Sequence, residues 1–89
     1  MSSTAIRFTK GAKSDLARLD KAVANRIIKR IQWLGDHLDD TVPLPLAGQW
    51  QSFYKLRVGD YRVIYRIERE LQATTIFIEF IRHRREVYK

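Results

Sequence analysis

Lysine and arginine side chains recur at alternate positions along residues 53–66, the stretch of this chain best equipped for chemistry. These cations are Lys55, Arg57, Arg62 and Arg66. If the stretch is a β-hairpin, they share one face of a sheet, because successive strand residues point to opposite faces. Like charges opposite each other destabilise a hairpin, and no acidic residue of the stretch shares this face. Such a face is suited to an external polyanion; the alternative is a solvated face whose repulsion is screened by water.

The hairpin itself is indicated by the Gly59-Asp60 pair and by period-two alternation on either side of it. Glycine at the first central position favours a type II′ turn, which makes Val58 face Tyr61. Counting outward then pairs Arg57 with Arg62, Leu56 with Val63, Lys55 with Ile64 and Phe53 with Arg66. The opposite face of the hairpin is predicted to face the core through Tyr54, Leu56, Val58, Tyr61, Val63, Tyr65 and Ile67.

Length and composition restrict the possible classes of protein. Eighty-nine residues with 45% hydrophobic content predict one folded domain spanning 1–89. The net charge of +7 and a majority of arginine among the 17 basic residues favour nucleic acid, or a masking acidic protein, as partner. With no cysteine and two isolated histidines, we expect no disulfide, no metal site and no cofactor. No apolar run approaches the ~18 residues that span a bilayer, so we expect a cytoplasmic protein without a membrane partner.

The first half of the chain predicts one strand and two helices. Residues 5–8 form a short strand, after which Thr9 can cap a first helix. Asp20 offers a second N-cap for a long amphipathic helix in which Gly35 weakens the last turn. The apolar stripe of that helix is Val23, Ile27, Ile31, Leu34 and Leu38.

The second half predicts a loop, three strands and a basic tail. Prolines 43 and 45 exclude a central strand between residues 39 and 48, where we expect Val42, Leu44 and Leu46 to pin the loop to the body. Strands follow at 50–57, 61–68 and 74–81, the last one central because it is apolar on both faces. The predicted fold is therefore α+β, with both helices on one face of a mainly antiparallel sheet and a basic C-terminal tail at 82–89.

The chain resembles the RelE/ParE superfamily, toxins of bacterial type II toxin–antitoxin pairs, and is more similar to its RelE mRNA-interferase branch. The segments that carry the resemblance are Leu-Ala-Gly at 46–48, Tyr-Lys-Leu-Arg-Val-Gly-Asp-Tyr-Arg-Val-Ile-Tyr at 54–65 and Arg-His-Arg-Arg-Glu-Val-Tyr at 82–88. The order of elements matches over essentially the whole chain. The resemblance therefore implies a RelE-like fold.

RelE-like toxins cut mRNA in the ribosomal A site through attack of a ribose 2′-OH on the adjacent phosphate. The resemblance implies that Lys55 activates this hydroxyl and that Arg62 stabilises the charge of the transition state. It places Arg82 near the leaving 5′-oxygen and Tyr88 against the substrate base. One departure is Phe53, where well-studied members carry a second lysine. The further RNA-binding residues that we expect are Arg57, Arg84, His83 and Arg85.

The chemistry of lysine and arginine limits how these basic residues could catalyse RNA cleavage. A lysine with an ordinary pKa near ~10.4 is almost fully protonated at neutral pH, and arginine does not deprotonate. The set is thus a poor acid–base catalyst and a good electrostatic clamp, so we expect most of the rate to come from holding the phosphate in line and stabilising its charge. His83 is either a catalytic group, since histidine titrates near neutrality, or a polar turn residue.

Two other functions are compatible with the same sequence. A ParE-like member poisons DNA gyrase without cutting RNA, and fold cannot separate these activities. A non-catalytic nucleic-acid-binding module would bind RNA with a steep salt dependence and cleave nothing. The resemblance also implies the partners: a cognate acidic antitoxin that covers the basic surface, the ribosome with its mRNA, and operator DNA bound only by the toxin–antitoxin complex.

Overall fold

A computed structural model describes residues 3–46, 48 and 52–85 of the chain. The helices of this part are α1 (Lys10–Ala17) and α2 (Lys21–Asp36), followed by a 3₁₀ turn at Leu38–Asp40. The strands are β1 (Ser3–Phe8), β2 (Leu44–Pro45), β3 (Tyr54–Val58), β4 (Tyr61–Glu70) and β5 (Ala73–His83). In this same part of the chain, no helix is long and apolar enough to cross a lipid bilayer.

The strands form one mixed sheet in the order β1-β5-β4-β3-β2. β1 pairs with β5 in parallel, and all the other neighbours are antiparallel. The predicted α+β architecture with two helices packed on a mainly antiparallel sheet is confirmed. The central position predicted for the last strand is confirmed as well, because β5 lies between β1 and β4.

The core lies between the helices and one face of the sheet. The predicted stripe of α2 provides its helical side, where Ile27, Ile31 and Leu34 are at most 1% exposed. Burial of apolar surface stabilises a fold by roughly 25 cal/mol per Å², and this burial is the main contribution that holds the helices against the sheet. The sheet residues buried in this cluster are Leu56, Val58, Val63, Tyr65, Ile76, Ile78 and Ile81.

The two helix starts differ in how they are capped. Thr9 behaves as predicted, since its Oγ1 accepts a hydrogen bond from the backbone N–H of Ala12 at 3.2 Å. Asp20 precedes α2 as predicted but makes no side-chain cap hydrogen bond. Packing of the apolar stripe, rather than capping, therefore holds the start of α2.

Gly35 lies in the last turn of α2. The helix stops at Asp36, two residues before the predicted end at Leu38, and the chain continues as the 3₁₀ turn. A Cβ atom on Gly35 would lie 2.9 Å from Cδ1 of Ile6 in β1. The missing Cβ of Gly35 therefore leaves room for the side chain of Ile6 to pack against the helix.

The proline-containing loop is pinned by fewer residues than the sequence predicts. Leu46 is buried, and its backbone N–H donates to the carbonyl of Phe53 at 3.0 Å. Val42 is 82% exposed and Leu44 is 52% exposed, so the prediction that both pin the loop is wrong. Leu44 instead belongs to β2, a short edge strand paired with β3.

The hairpin of β3 and β4 has the predicted register. Gly59 has a φ of 59°, which a primed turn requires at its first central position and which glycine adopts without strain. The register pairs are Tyr54 with Tyr65, Lys55 with Ile64, Leu56 with Val63, Arg57 with Arg62, and Val58 with Tyr61.

A bulge interrupts the pairing of β4 with β5. Ile64 pairs with Phe80 and Tyr65 with Ile78, so Glu79 is the extra residue on β5. Both Ile64 and Tyr65 are almost completely buried although they point to opposite faces of the sheet. The sheet is therefore apolar on both faces at this point.

Burial of Tyr65 predicts a loss of stability at alkaline pH. Desolvation, and secondarily the charge of Tyr54, raises the pKa of Tyr65 from 10.0 to about 12. Between these values the unfolded chain releases the tyrosine proton while the folded chain retains it, so the free energy of unfolding falls as pH rises. Ionisation of Tyr65 in the unfolded chain should lower the free energy of unfolding by about 2 kcal/mol at pH ~11.5. Urea unfolding at pH ~9 and ~11.5 should show a smaller loss in Tyr65→Phe; an equal loss in both proteins would contradict the assignment.

Candidate functional site

Three arginines form a row across the sheet face that points away from the helices. Arg57 of β3 pairs with Arg62 of β4, and Arg62 pairs with Arg82 of β5. Since neighbouring strands lie ~4.8 Å apart, the row spans roughly 10 Å between its outer Cα atoms. The strand register thus brings together the arginines of the hairpin and the first arginine of the predicted tail.

Lys55 stands on the same face in the adjacent row. It pairs with Ile64, which in turn pairs with Phe80, and its Cα lies on a diagonal of ~7–8 Å from that of Arg62. The guanidinium of Arg82 lies 4.8 Å from the centre of the Phe80 ring. Ile64 and Phe80 therefore form an apolar patch among these cations. Because an apolar surface is poorly hydrated, the attraction between the cations and a bound anion is stronger there than in bulk solvent.

Arg82 is held by Asp15, a residue that sequence reasoning missed. Nη1 of Arg82 donates to Oδ2 of Asp15 and, at 3.2 Å, to the carbonyl of Ile81. Asp15 is only 7% exposed. The available signal was its spacing, because Asp15 lies three residues after Ala12 and four before Leu19 and so places a carboxylate on the apolar face of α1.

Arg66 belongs to an internal ion-pair cluster. Its Nε donates to Glu79 at 2.6 Å and its Nη1 donates to Glu68 at 2.9 Å, while its guanidinium lies 4.1 Å from the ring centre of Phe77. The hydrogen bond to Glu79 is the main reason why the pKa of Arg66 is raised. The expectation that the basic face of the hairpin has no acidic partner is therefore wrong at Arg66. Within the described part of the chain, Lys55 and Arg57 have no carboxylate partner.

An open concavity of about 170 Å³ lies at the turn end of the arginine row. Arg57, Arg62 and Arg84 supply its charged walls, and the Gly59-Asp60 turn supplies its rim. The backbone N–H of Arg84 donates to the carbonyl of Asp60 at 2.7 Å, which holds the start of the tail against the turn. Three guanidinium groups around a small polar opening can bind phosphate oxygens through charge-assisted hydrogen bonds.

A family model describes this chain from residue 6 to residue 88 as a ParE toxin of a type II toxin–antitoxin system, parDE. The chain belongs to this toxin family. Among curated proteins, none matches the sequence closely enough to count as a relative.

Solved structures agree with this assignment and carry names from both branches of the RelE/ParE superfamily. A chain of the RelBE2 toxin–antitoxin complex from Mycobacterium tuberculosis is 28% identical, with a TM-score of 0.76 over 89% of the toxin and 95% of that chain. The YoeB/ParE toxin from Agrobacterium tumefaciens is 18% identical, with a TM-score of 0.72 over 89% and 97%. A chain of the ParDE system from Pseudomonas aeruginosa is 13% identical, with a TM-score of 0.66 over 90% and 95%. The predicted superfamily is confirmed.

The remaining predicted site residues of the toxin are not all on the arginine face. His83 pairs with Tyr61, and the two rings meet edge to face with centres 5.2 Å apart on the other side of the sheet from Arg82. Arg85 is exposed, and its backbone N–H donates to Nδ1 of His83 at 3.3 Å. Tyr88 lies outside the described residues. In the described part of the toxin, no three histidine, aspartate or glutamate side chains could hold a metal ion together.

The toxin also exposes an apolar surface beside β3. Trp33 is 37% exposed, stacks on the ring of His37 at 4.7 Å, and has the guanidinium of Arg30 4.1 Å from its ring centre. Trp33 and Leu44 line a groove of about 230 Å³ that also reaches Lys55. An apolar surface that adjoins cations is typical of a protein-binding site.

Proposed function

We propose that this toxin is a ribosome-dependent endoribonuclease that acts in the cytoplasm and cleaves mRNA in the A site. The observation that carries the proposal is the single sheet face on which Lys55, Arg57, Arg62 and Arg82 stand. Preorganised cations aimed at developing charge are often the largest single source of rate enhancement in such reactions. A face of this kind is suited to a phosphodiester, whose transition state carries more negative charge than its ground state.

The chemistry is a displacement within the RNA strand. The 2′-oxygen gives up its proton and attacks the adjacent phosphorus while the bond from phosphorus to the 5′-oxygen breaks. The 5′-oxygen takes up a proton, so the products are a 2′,3′-cyclic phosphate and a 5′-hydroxyl. Lys55 is assigned to the 2′-OH and Arg62 to the non-bridging oxygens, with Arg82 facing the leaving oxygen. Arg57 and Arg84 hold a neighbouring phosphate in the concavity at the turn. Because these groups orient and stabilise rather than transfer protons well, the ribosome is needed to present the strand in line.

Primer extension on a translated message tests the proposal. Induction of the toxin alone should give cuts within translated codons, and a matched message that lacks a start codon should remain intact. Purified toxin added to stalled ribosomes should cut the A-site codon. A toxin that stops growth but leaves translated messages uncut would overturn the ribonuclease assignment.

DNA gyrase inhibition is the second candidate, and the match to the ParE family model favours it. A gyrase poison needs a protein-binding surface and leaves mRNA intact, so it should inhibit supercoiling by purified gyrase at toxin concentrations that give no RNA cleavage. Removal of residues 82–89 should spare a gyrase inhibitor more readily than a nuclease, because it takes Arg82 out of the arginine row. The two assays assign the branch independently of the fold.

The toxin–antitoxin complexes among the structural relatives support a cognate antitoxin as the partner of this toxin. We assign its docking to the exposed apolar surface of Trp33, Val42 and Leu44, which continues through the groove to Lys55. Arg26, Lys29 and Arg30 of α2 lie beside the adjoining part of β3 and complement an acidic chain. An antitoxin seated there would also reach Lys55 and Arg57, which line the same groove.

Leu44→Asp is expected to weaken antitoxin binding at least 10-fold, because it places a charge in the apolar centre of the proposed interface. Titration calorimetry with the co-encoded antitoxin measures this effect. The matched control is Leu71→Asp, an equal change at a fully exposed leucine in the turn between β4 and β5. Equal antitoxin affinities for the two variants would show that Leu44 does not lie in the interface.

A further inference from the structure

The carboxylate of Asp15 is a buried charge with both oxygens occupied. Oδ2 accepts from the backbone N–H of Ile81 at 2.9 Å and from Nη1 of Arg82, while Oδ1 accepts from Nη2 of Arg18 at 2.7 Å. Buried carboxylates are costly unless they are paired and hydrogen-bonded, as this one is. The side chain of Arg18 is 73% exposed and that of Arg82 is 35% exposed. Because two arginines share one carboxylate, the Arg18–Asp15–Arg82 group carries a net positive charge.

Asp15 lies where α1 replaces β1 at the edge of β5. β1 ends at Phe8, beside Ile78. Beyond that point the Thr9 N–H donates to the carbonyl of Ile78 at 3.0 Å, and Thr9 Oγ1 donates to the carbonyl of Glu79 at 2.8 Å. Asp15 continues this series by accepting from Ile81, the residue just before Arg82. The backbone of β5 and the guanidinium of Arg82 are thus fixed by the same carboxylate.

This arrangement restricts Arg82 on two sides. Phe80 lies beneath its guanidinium at 4.8 Å, and Asp15 with the carbonyl of Ile81 takes its Nη1 hydrogens. Within residues 3–46, 48 and 52–85, Nε and Nη2 of Arg82 have no hydrogen-bond partner, so we assign them to a ligand on the arginine face. A guanidinium that is already oriented loses less side-chain freedom when it binds a phosphate oxygen than a mobile one does.

We infer that Asp15 is a positioning residue, which orients the guanidinium of Arg82 toward the phosphate that the arginine row binds. The inference rests on the proposed ribonuclease function. The simpler possibility is that Asp15 only closes the edge of β5 through Ile81. The two roles are separable because asparagine retains an oxygen for the Ile81 N–H but lacks the charge that holds Arg82.

A double-mutant cycle on Asp15→Asn and Arg82→Ala tests the inference. Asp15→Asn should lower kcat for A-site cleavage about 10- to 100-fold with little change in KM, because a misplaced catalytic group costs that much. In the Arg82→Ala background the same change should have almost no further effect. Arg18→Ala, which removes only the exposed partner, is the matched control and should stay close to wild type.

Side-chain nitrogen NMR of Arg82 supplies a readout that does not depend on cleavage. The wild-type guanidinium should rotate slowly about its Nε–Cζ bond, and Asp15→Asn should restore fast rotation while the backbone amide of Ile81 stays protected from exchange. Fast rotation in the wild type, or equal losses of kcat for Asp15→Asn in both backgrounds, would overturn the role of Asp15. A wild-type toxin that cuts no message would overturn the proposed function instead, whatever the NMR signals show.

Discussion

Arg62→Ala should reduce mRNA cleavage by about 10²–10³-fold, which is the usual cost of removing one preorganised group that stabilises transition-state charge. Arg62 is the middle residue of the arginine row, with Arg57 on one side and Arg82 on the other. It therefore adjoins every other cation that the proposed mechanism uses. Cell growth after induction and primer extension on a translated message measure the loss together.

The control for this change is Arg69→Ala on the same strand. Arg69 is exposed and has the opposite parity to Arg62, so the two variants lose the same charge from the same strand but from different faces. Circular dichroism should show both variants folded. Full toxicity of Arg62→Ala, together with uncut messages in the wild type, would favour gyrase inhibition over ribonuclease activity.

Ile64→Ala should lower the free energy of unfolding by about 2–5 kcal/mol, and Ile64→Val by only about 0.5–1.5 kcal/mol. Ile64 has 0% exposure although it points toward the arginine face, where it pairs with Lys55 and Phe80. An isoleucine so fully enclosed leaves a cavity when it is truncated. Since total stabilities are about 5–15 kcal/mol, the alanine variant should be close to its unfolding threshold.

Urea unfolding at neutral pH measures both Ile64 variants. The valine variant should also retain cleavage, because it preserves the apolar patch beneath the cations. A loss below about 1 kcal/mol in Ile64→Ala would mean that the surrounding side chains collapse into the space. In that case the cations would not rest on a rigid surface, and precise placement of Lys55 would lose its support.

The arginine face could be predicted from sequence only as far as local rules reach. Alternation and the glycine turn fix the pairing of Arg57 with Arg62, because a hairpin register depends on a few neighbouring residues. The place of Arg82 in the row depends on the pairing of β4 with β5, which contains a bulge at Glu79. No local signal in the sequence marks that extra residue.

The acidic partners that β5 and α1 supply to Arg66 and Arg82 could not be predicted from the hairpin alone, because they come from other elements of the chain. Asp15 reaches Arg82 over 67 residues, and Glu79 reaches Arg66 over 13. The period of charges along one strand cannot show carboxylates that come from another element. A polar residue on the apolar face of a helix, as at Asp15, is the pattern that could have indicated such a partner.

The parallel pairing of β1 with β5 has a consequence for the synthesis of the toxin. Ser3 pairs with Ala73 and Phe8 with Ile78, so β1 cannot take its place in the sheet until a strand about 70 residues further along the chain has been made. Contacts between such distant parts of a chain form late, because the intervening loop has to close first. A nascent or truncated chain would lack both the completed sheet and Arg82, and we expect it to be harmless.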